Sequence, residues 1–366
     1  MKAKGTLRAR EFSAIVLFCI GIKLSDTNPV IYAQTGKNAF WIMPIISFLV
    51  ICPSALVLLF LLNKHQNKNL IELVRHIIGN KVGSLFAFVF FFITFSALSI
   101  DSRNYVETLN TMYYEESPLL SLYFVFMIIC AFGAKKGFET IGSVSWSVLP
   151  YIEASLLSFG LICLQEVVWQ RIFPIFGPGL KVLLMEGAKK GAIFWDLFIL
   201  TIAYPVLKDQ KSFHNGFLFG GVFSLIKITV IFFIYCTFFD YKSIERVAFP
   251  FHEITQYVSL GMFFTHVETY FMTFWVLAAL LRFMIYLYVA SWLLGETFRL
   301  KEFEPLILIL GFLSITVGMI PEGPIFETMA IKGEFLNVLT PFFIIFPLLL
   351  WVVDKIKDRL IKDEIF

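Results

Sequence analysis

Six ionisable residues lie within strongly apolar stretches of the sequence, where a charge is unusual. They are Lys23, Asp26, Glu153, Asp196, Lys227 and Arg282. An ionisable group at the depth of a lipid bilayer is costly, so it usually faces the protein interior, where it pairs or marks the path of a ligand or proton. We assign Asp196 to a ligand site and treat the other five as candidates for a charge or proton relay.

Lys23 lies two residues after Gly21, where we expect the first helix to break. In a dry site the Lys23 ammonium needs a partner, which Asp196, Glu153 or a ligand carboxylate could provide. We hypothesise that Lys23 is a built-in cation that organises the site and replaces a bound metal ion. The alternative is that Lys23 extends to a membrane interface while its stem stays in apolar surroundings.

Glu153 lies in the middle of another apolar stretch. A carboxyl group in apolar surroundings tends to stay protonated. One hypothesis is therefore that Glu153 carries a proton, and the simpler one is that it forms a neutral hydrogen bond between helices. Asp101, Arg103 and Glu107 lie near the outer end of the third stretch. Arg103 and Glu107 have the spacing of a pair on one helix face.

The composition places the chain in a membrane. Of 366 residues 58% are hydrophobic and 16% are charged, and 44 are Phe. A soluble domain carries about a quarter charged residues. The net charge of +3 is too small to indicate nucleic-acid binding. The sequence lacks the common catalytic, nucleotide-binding and metal-binding motifs, so we expect neither enzymatic activity nor a cofactor or metal.

Ten stretches approximate the ~20 apolar residues that a helix needs to cross a bilayer. They are 11–33, 38–62, 82–106, 118–134, 138–164, 188–206, 213–239, 266–296, 302–320 and 335–354. No long polar block or Gly-, Ser- or Pro-rich linker divides them, so we predict a single transmembrane domain over 1–366. The long connection 240–265 has the pattern of a short helix lying at the membrane surface.

The distribution of Lys and Arg predicts the orientation. With both termini in the cytoplasm, about twice as many Lys and Arg residues fall on the cytoplasmic side as on the outer side, in agreement with the positive-inside rule. Lys332, in the connection before span ten, counts toward the outer side.

Spans one and six are interrupted at corresponding places. Span one carries Gly21, Lys23 and Asp26 in its middle, and span six carries Asp196 and ends at Pro205. Paired discontinuous helices in matching positions are typical of a transporter-type binding site. Spans one and six begin two five-helix halves, whose odd number of crossings makes them inverted relative to each other. We therefore predict an all-α membrane protein of ten helices, a 5+5 inverted repeat with broken helices 1 and 6.

Unwound main chain exposes amide and carbonyl groups that protein, water or ligand must satisfy. A free helix N-terminus favours a carboxylate, and the carbonyls of the other end suit an ammonium, so an amino acid zwitterion fits both. Alternatively, Gly and Pro occur in membrane helices without any ligand, and Ser and Thr join helices by hydrogen bonds. The candidate ligand-binding residues are Gly21, Ile22, Lys23, Leu24, Ser25, Ser96, Ser99, Asp196, Phe198, Thr201 and Tyr286.

With these features the chain resembles the B subunits of the nutrient germinant receptors of bacterial endospores, a branch of the amino acid–polyamine–organocation superfamily. The similar stretches are 21–29, 194–205 and 248–275, the last with Pro250, Glu268 and Trp275 before a long eighth helix. The resemblance implies a LeuT-type fold and a ligand site between spans one, three, six and eight. At Lys23 the chain departs from superfamily permeases, which usually have a small residue there.

The resemblance also implies a function. The ligand is a small germinant, often an amino acid, and the partners are an A subunit and a lipoprotein C subunit in the spore inner membrane. We therefore expect a germinant-sensing subunit that signals germination through these partners. The alternatives are an amino acid permease, which could be proton-coupled, and a ligand-gated subunit that conducts ions or water.

Overall fold

The computed structural model describes residues 7–66, 68–257, 267–320 and 325–363. Residues 258–266, which belong to the third stretch of the resemblance, lie outside the described residues. Within the described ranges the chain is almost entirely helical, and its one β-type contact is a bridge between Leu7 and Leu207.

The first half of the chain contains spans one to five. Its helices are α1 (Ala9–Ile20), α2 (Asn28–Gly36), α3 (Met43–Lys64), α4 (Leu70–Ile78), α5 (Asn80–Tyr113), α6 (Leu119–Ala134) and α7 (Phe138–Cys163). Short 3-10 helices cover Gly21–Ser25 and Lys37–Ile42. The amphipathic α4 begins at a capping box in which Asn69 and Glu72 satisfy each other's main-chain amides, so it starts abruptly after span two.

The second half contains spans six to ten. Its helices are α8 (Leu180–Lys189), α9 (Asp196–Ile199), α10 (Gln210–Phe238), α11 (Tyr241–Ile244), α12 (Pro250–Tyr257), α13 (Val267–Phe298), α14 (Leu306–Gly318) and α15 (Ile325–Asp363). Short 3-10 helices cover Trp169–Ile172, Gly191–Phe194 and Leu200–Val206. The predicted surface helix in 240–265 corresponds in position to α12.

Span one is broken where the sequence predicts it. The α-helix ends at Ile20, a 3-10 turn covers Gly21–Ser25, and Asp26 is extended. The Asp26 carboxylate accepts hydrogen bonds from the Asn28 main-chain amide at 2.7 Å and from the Asn28 side chain at 2.6 Å. Asp26 therefore restarts the helix by satisfying an amide that its first turn leaves free.

Span six is broken more extensively. Only Asp196–Ile199 is α-helical, and tighter 3-10 turns precede and follow it. Pro205 lies in the second of these turns, where its ring and missing N–H disfavour a regular α-helix. The expected breaks in spans one and six are thus confirmed.

Six helical segments of the described chain are long and apolar enough to cross a membrane, and three shorter apolar segments cover 119–134, 191–206 and 306–318. Together with the short α1, these segments account for the ten expected helices. The span boundaries given above and the assignment of the whole chain to one domain stay predictions.

The first helix packs closely on α10. A Cβ atom added at Gly220 would lie 2.6 Å from Val16 Cβ and 3.2 Å from the Ser13 carbonyl oxygen, whereas one added at Gly221 would meet Leu197 at an ordinary 3.4 Å. The two neighbouring glycines therefore have different structural roles. Gly220 allows α1 and α10 to pack closely, whereas the packing does not require a glycine at 221.

We expect Gly220→Ala to destabilise the protein by about 1–3 kcal/mol, because overpacking separates α1 from α10. The matched Gly221→Ala should be neutral or stabilising by up to about 1 kcal/mol, since alanine favours a helix over glycine. Thermal unfolding of the two detergent-solubilised variants measures the difference. Equal effects would contradict the packing argument.

Candidate functional site

Charged side chains from five helical segments meet at the centre of the molecule. The cluster consists of Lys23, Asp26, Asp101, Asp196, Arg282 and Lys332. Each of these residues is at most 9% exposed. Three cations face three carboxylates, so the formal charges cancel within the cluster. We call this set the central network.

One end of the central network joins the two broken helices. The Lys23 ammonium donates to the Ile193 carbonyl oxygen at 2.7 Å and forms an ion pair with Asp196. The Tyr286 hydroxyl of α13 donates to the other Asp196 oxygen at 2.5 Å. Of the three partners considered for Lys23, the structure places Asp196 next to it. Lys23 thus provides a positive charge where the unwound main chain of span six presents a carbonyl.

The other end connects spans one, three, eight and ten. The Arg282 guanidinium lies 2.5 Å from Asp101, 3.1 Å from the Tyr105 hydroxyl and 3.7 Å from Asp26. The Lys332 ammonium lies 2.8 Å from Asp26 and 3.0 Å from Asp101. Asp26 and Asp101 therefore each serve two cations, which ties four spans to one another.

Side chains of the protein also satisfy the free main-chain groups of span one. The Ile22 carbonyl oxygen accepts from the Ser25 hydroxyl at 2.8 Å, and the Leu24 carbonyl oxygen accepts from the Tyr235 hydroxyl at 3.1 Å. The indole N–H of Trp275 in turn donates to Ser25 at 3.0 Å. These contacts stabilise the broken turn.

Two cavities flank the broken turn of span one. We call the first the Gly21 cavity. Its empty volume of about 510 Å³ includes the solvent space at its open side. Its walls include Gly21, Ile22, Leu24, Ser25, Ile152, Ser155, Lys227, Phe251 and Trp275. The second, of about 410 Å³, we call the Lys23 cavity. Its walls include Lys23, Asn28, Asp101, Ile193, Trp195 and Lys332.

A second ion pair lies apart from the central network, and its lysine, Lys227, lines the Gly21 cavity. The Lys227 ammonium of α10 is 2.6 Å from the Glu153 carboxylate of α7. The two remaining members of the proposed relay are therefore partners of each other, and both are partly exposed.

The structure brings most of the candidate ligand-binding residues to these cavities. Gly21, Ile22, Leu24 and Ser25 line the first cavity and Lys23 lines the second. Asp196 and Tyr286 line a third, smaller cavity of about 200 Å³.

The other candidates lie elsewhere. Phe198 packs against Phe343 with ring centroids 4.9 Å apart, and the Thr201 hydroxyl donates to the Phe198 carbonyl oxygen at 2.5 Å. Ser99 donates to the Phe95 carbonyl oxygen, and its own carbonyl oxygen accepts from Tyr123. Ser96 is half-buried and does not line any of the three cavities.

Lys332 corrects the sequence-based assignment. It had been counted with the outer connections, but α15 begins at Ile325, ten residues before the expected start of span ten, and buries it. The sequence carries a signal for this, because Met329, Leu336 and Phe343 repeat every seven residues and Lys332 falls on the same helical stripe.

Asp101 and Tyr105 were also missed as site residues. Asp101 had been placed near the outer end of span three, but α5 continues to Tyr113 and buries both residues. Their spacing of four residues puts them on one helix face, and that face meets α13, where Arg282 contacts both.

The short α12, outside the predicted spans, covers one wall of the Gly21 cavity. His252 is fully buried, and its Nδ1 lies 2.8 Å from the Tyr113 hydroxyl. Its ring packs edge-on against Trp275, with the two ring centroids 4.3 Å apart. Burial disfavours the charged imidazolium and lowers the pKa of His252 from 6.5 to about 3. His252 is therefore neutral at physiological pH.

Comparison with known sequences gives a consistent result. A family profile described as "Spore germination protein" matches residues 8–326. Spore germination protein KB of Bacillus subtilis (strain 168) is 21% identical, over 98% of this chain and 96% of that protein. Spore germination protein YndE of the same organism is 21% identical, over 89% and 90% of the two chains.

Comparison with solved structures confirms the transporter-type fold. MhsT in complex with L-phenylalanine matches with a TM-score of 0.68 and 13% identity, over 97% of this chain and all of that chain. A Na⁺-coupled sialic acid symporter matches with a TM-score of 0.66 and 11% identity, over 94% and 80%. At these identities the likeness shows the LeuT-type fold alone.

We expect Lys23→Met to destabilise the protein by about 3–5 kcal/mol, because it leaves the buried Asp196 charge unpaired. The double variant Lys23→Met/Asp196→Asn should lose less than the sum of the two single variants. Thermal unfolding in detergent measures this coupling. Lys189→Met, which removes an exposed pair with Glu186, is the control and should change stability by less than about 1 kcal/mol. Additive effects at Lys23 and Asp196 would show that their contact does not stabilise the protein.

The depressed pKa of His252 predicts acid sensitivity. The folded protein binds this proton less readily than the unfolded chain, so stability is complete above pH 6.5 and falls as the pH drops toward 3. Lowering the pH from 7 to 5 should cost about 2 kcal/mol at this residue. The His252→Gln variant should show a correspondingly smaller change in unfolding temperature between pH 7 and pH 5. An unchanged pH dependence would contradict the assignment.

Proposed function

The chain belongs to the spore germination protein family, and from this premise we propose that it is the germinant-sensing subunit of a spore nutrient receptor. It binds a small nutrient, an amino acid, beside the unwound parts of spans one and six. An A subunit and a lipoprotein C subunit read the resulting conformational change. The complex resides in the spore inner membrane with both termini of this chain in the cytoplasm.

The position of the broken turn of span one carries this proposal. Gly21, Ile22, Leu24 and Ser25 line the Gly21 cavity, and their chain neighbours Lys23 and Asp26 hold helices from both halves of the molecule. A ligand shifts a conformational equilibrium only through its differential affinity for the two states. A solute whose contacts with residues 21–25 fit only one arrangement of this turn has such a differential affinity, and movement of the turn rearranges the central network.

The central network supports a receptor over an ion-coupled transporter. The Lys23 ammonium already contacts the free carbonyl oxygen of span six, and side chains satisfy the carbonyl oxygens of Ile22 and Leu24. These three carbonyl oxygens therefore already have protein donors, which makes them less available to a coupling cation. An amino acid permease is the second candidate, and the cavities beside the broken helices of a transporter-type fold favour it.

Gly21→Leu tests the site. The added side chain would start 3.4 Å from the Lys227 ammonium and fill the cavity, so spores carrying this variant should lose their response to the nutrient while the protein accumulates normally. Germination is followed by loss of optical density over a nutrient panel, and the protein level by immunoblot. Uptake of labelled amino acids by vesicles containing the chain separates a permease from a receptor.

The control is Gly160→Leu on α7, where an added Cβ meets only Ile234 at 3.6 Å. This variant should respond like the wild type. If Gly21→Leu spores keep their sensitivity, Gly21 does not belong to the ligand site.

A further inference from the structure

The ion pair of Lys227 and Glu153 is suited to a ligand in a way that the central network is not. Its ammonium lines the Gly21 cavity, and the two side chains are 11% and 25% exposed. We propose that the Gly21 cavity binds an apolar α-amino acid, whose carboxylate contacts Lys227 and whose ammonium contacts Glu153. This inference rests on the proposed function, and it names the chemical class of the ligand and places it against spans one, five, seven and eight rather than against span six.

The charge balance of the pair selects a zwitterion. When an amino acid enters between Lys227 and Glu153, each protein charge exchanges one partner for another, and no net charge is added to a poorly hydrated site. A carboxylate without an ammonium leaves Glu153 unpaired, and an amine without a carboxylate leaves Lys227 unpaired. An unpaired charge in such surroundings is strongly unfavourable.

A buried hydroxyl beside Lys227 provides a second donor. Ser224 is fully buried, and its Oγ has no hydrogen-bond partner among the described residues. It lies one turn before Lys227 on the same face of α10, and both reach toward Gly21. A Cβ at Gly21 would be 3.4 Å from the Lys227 nitrogen and 3.6 Å from the Ser224 oxygen. A carboxylate at this position accepts hydrogen bonds from both residues.

The rest of the cavity selects an apolar side chain. Most of the lining side chains are aliphatic or aromatic, among them Leu17, Phe18, Ile152, Leu156, Phe271 and Trp275. A leucine or phenylalanine side chain buries apolar surface here, whereas an acidic or basic side chain would meet mostly aliphatic and aromatic walls.

The central network is a poorer site for the same ligand. Every charge in it already has an opposite charge within 4 Å, and Asp26 and Asp101 each serve two cations. Opening one contact there disturbs four spans at once. The Lys227–Glu153 pair joins only α7 and α10, so it can open locally.

Binding of labelled L-leucine and L-phenylalanine to the full chain in lipid nanodiscs tests the proposal. We expect both to bind, and isocaproate and isopentylamine, which each lack one charge of leucine, to bind at least about tenfold more weakly. The double variant Lys227→Met/Glu153→Gln, which leaves no lone charge, should lose about tenfold or more in affinity for L-leucine. Ser155→Leu, which fills the cavity, should weaken binding of L-phenylalanine more than that of L-leucine.

The control is Lys189→Met, which breaks a lysine–glutamate pair on the surface and should bind like the wild type. Unchanged L-leucine affinity in both the double variant and Ser155→Leu would overturn the cavity assignment, while the proposed function would still stand if spores without the chain fail to germinate on amino acids. A wild-type chain that binds neither L-leucine nor L-phenylalanine, or binds isocaproate or isopentylamine as tightly as L-leucine, would overturn the ligand class. The germination response of the deletion spores again judges the proposed function separately.

Discussion

A buried charge in a membrane protein needs an opposite charge and hydrogen bonds, and this constraint determines the arrangement of the helices. The central network meets it with three cations and three carboxylates, each at most 9% exposed. Removing one partner of such a pair costs far more than the intact pair contributes. The positions of the broken turns, and therefore of the cavities beside them, depend on this balance.

The network also couples distant parts of the helix bundle. Lys23 joins the two breaks, Arg282 joins spans three and eight, and Lys332 joins span ten to spans one and three. A movement of span one must exchange or break these contacts. Packed interfaces of this kind have a few discrete arrangements rather than a continuous range, which is the requirement for a switch.

The sequence predicted the fold well because length and hydropathy determine it. The apolar runs, the paired breaks and the inverted halves follow from residues near Gly21 and Pro205, and the structure confirms them. The sequence also singled out Lys23, Asp26, Asp196 and Arg282 as intramembrane charges. It could not choose between partners for Lys23, because that choice depends on the three-dimensional packing of spans one and six.

Residues at the ends of spans were harder to predict. Lys332 lies before the apolar run 335–354, so a run-length criterion assigns it to water, and Asp101 lies near the outer end of the run 82–106. Both helices continue past those points, α5 to Tyr113 and α15 back to Ile325, because other helices cover them. Ser96 and Ser99 were assigned to the ligand site because of their residue type. In the structure neither of them lines any of the three cavities.

The order of the network residues along the chain has a consequence for biosynthesis. Lys23 and the three carboxylates are made first, and Arg282 and Lys332 arrive only with spans eight and ten. Until then one ammonium must serve three acids, and each uncompensated charge at the bilayer centre costs about 3 kcal/mol. The charges of the network therefore balance only after the last helix has inserted, so a chain shortened at its C-terminal end loses the electrical balance of its interior along with a helix.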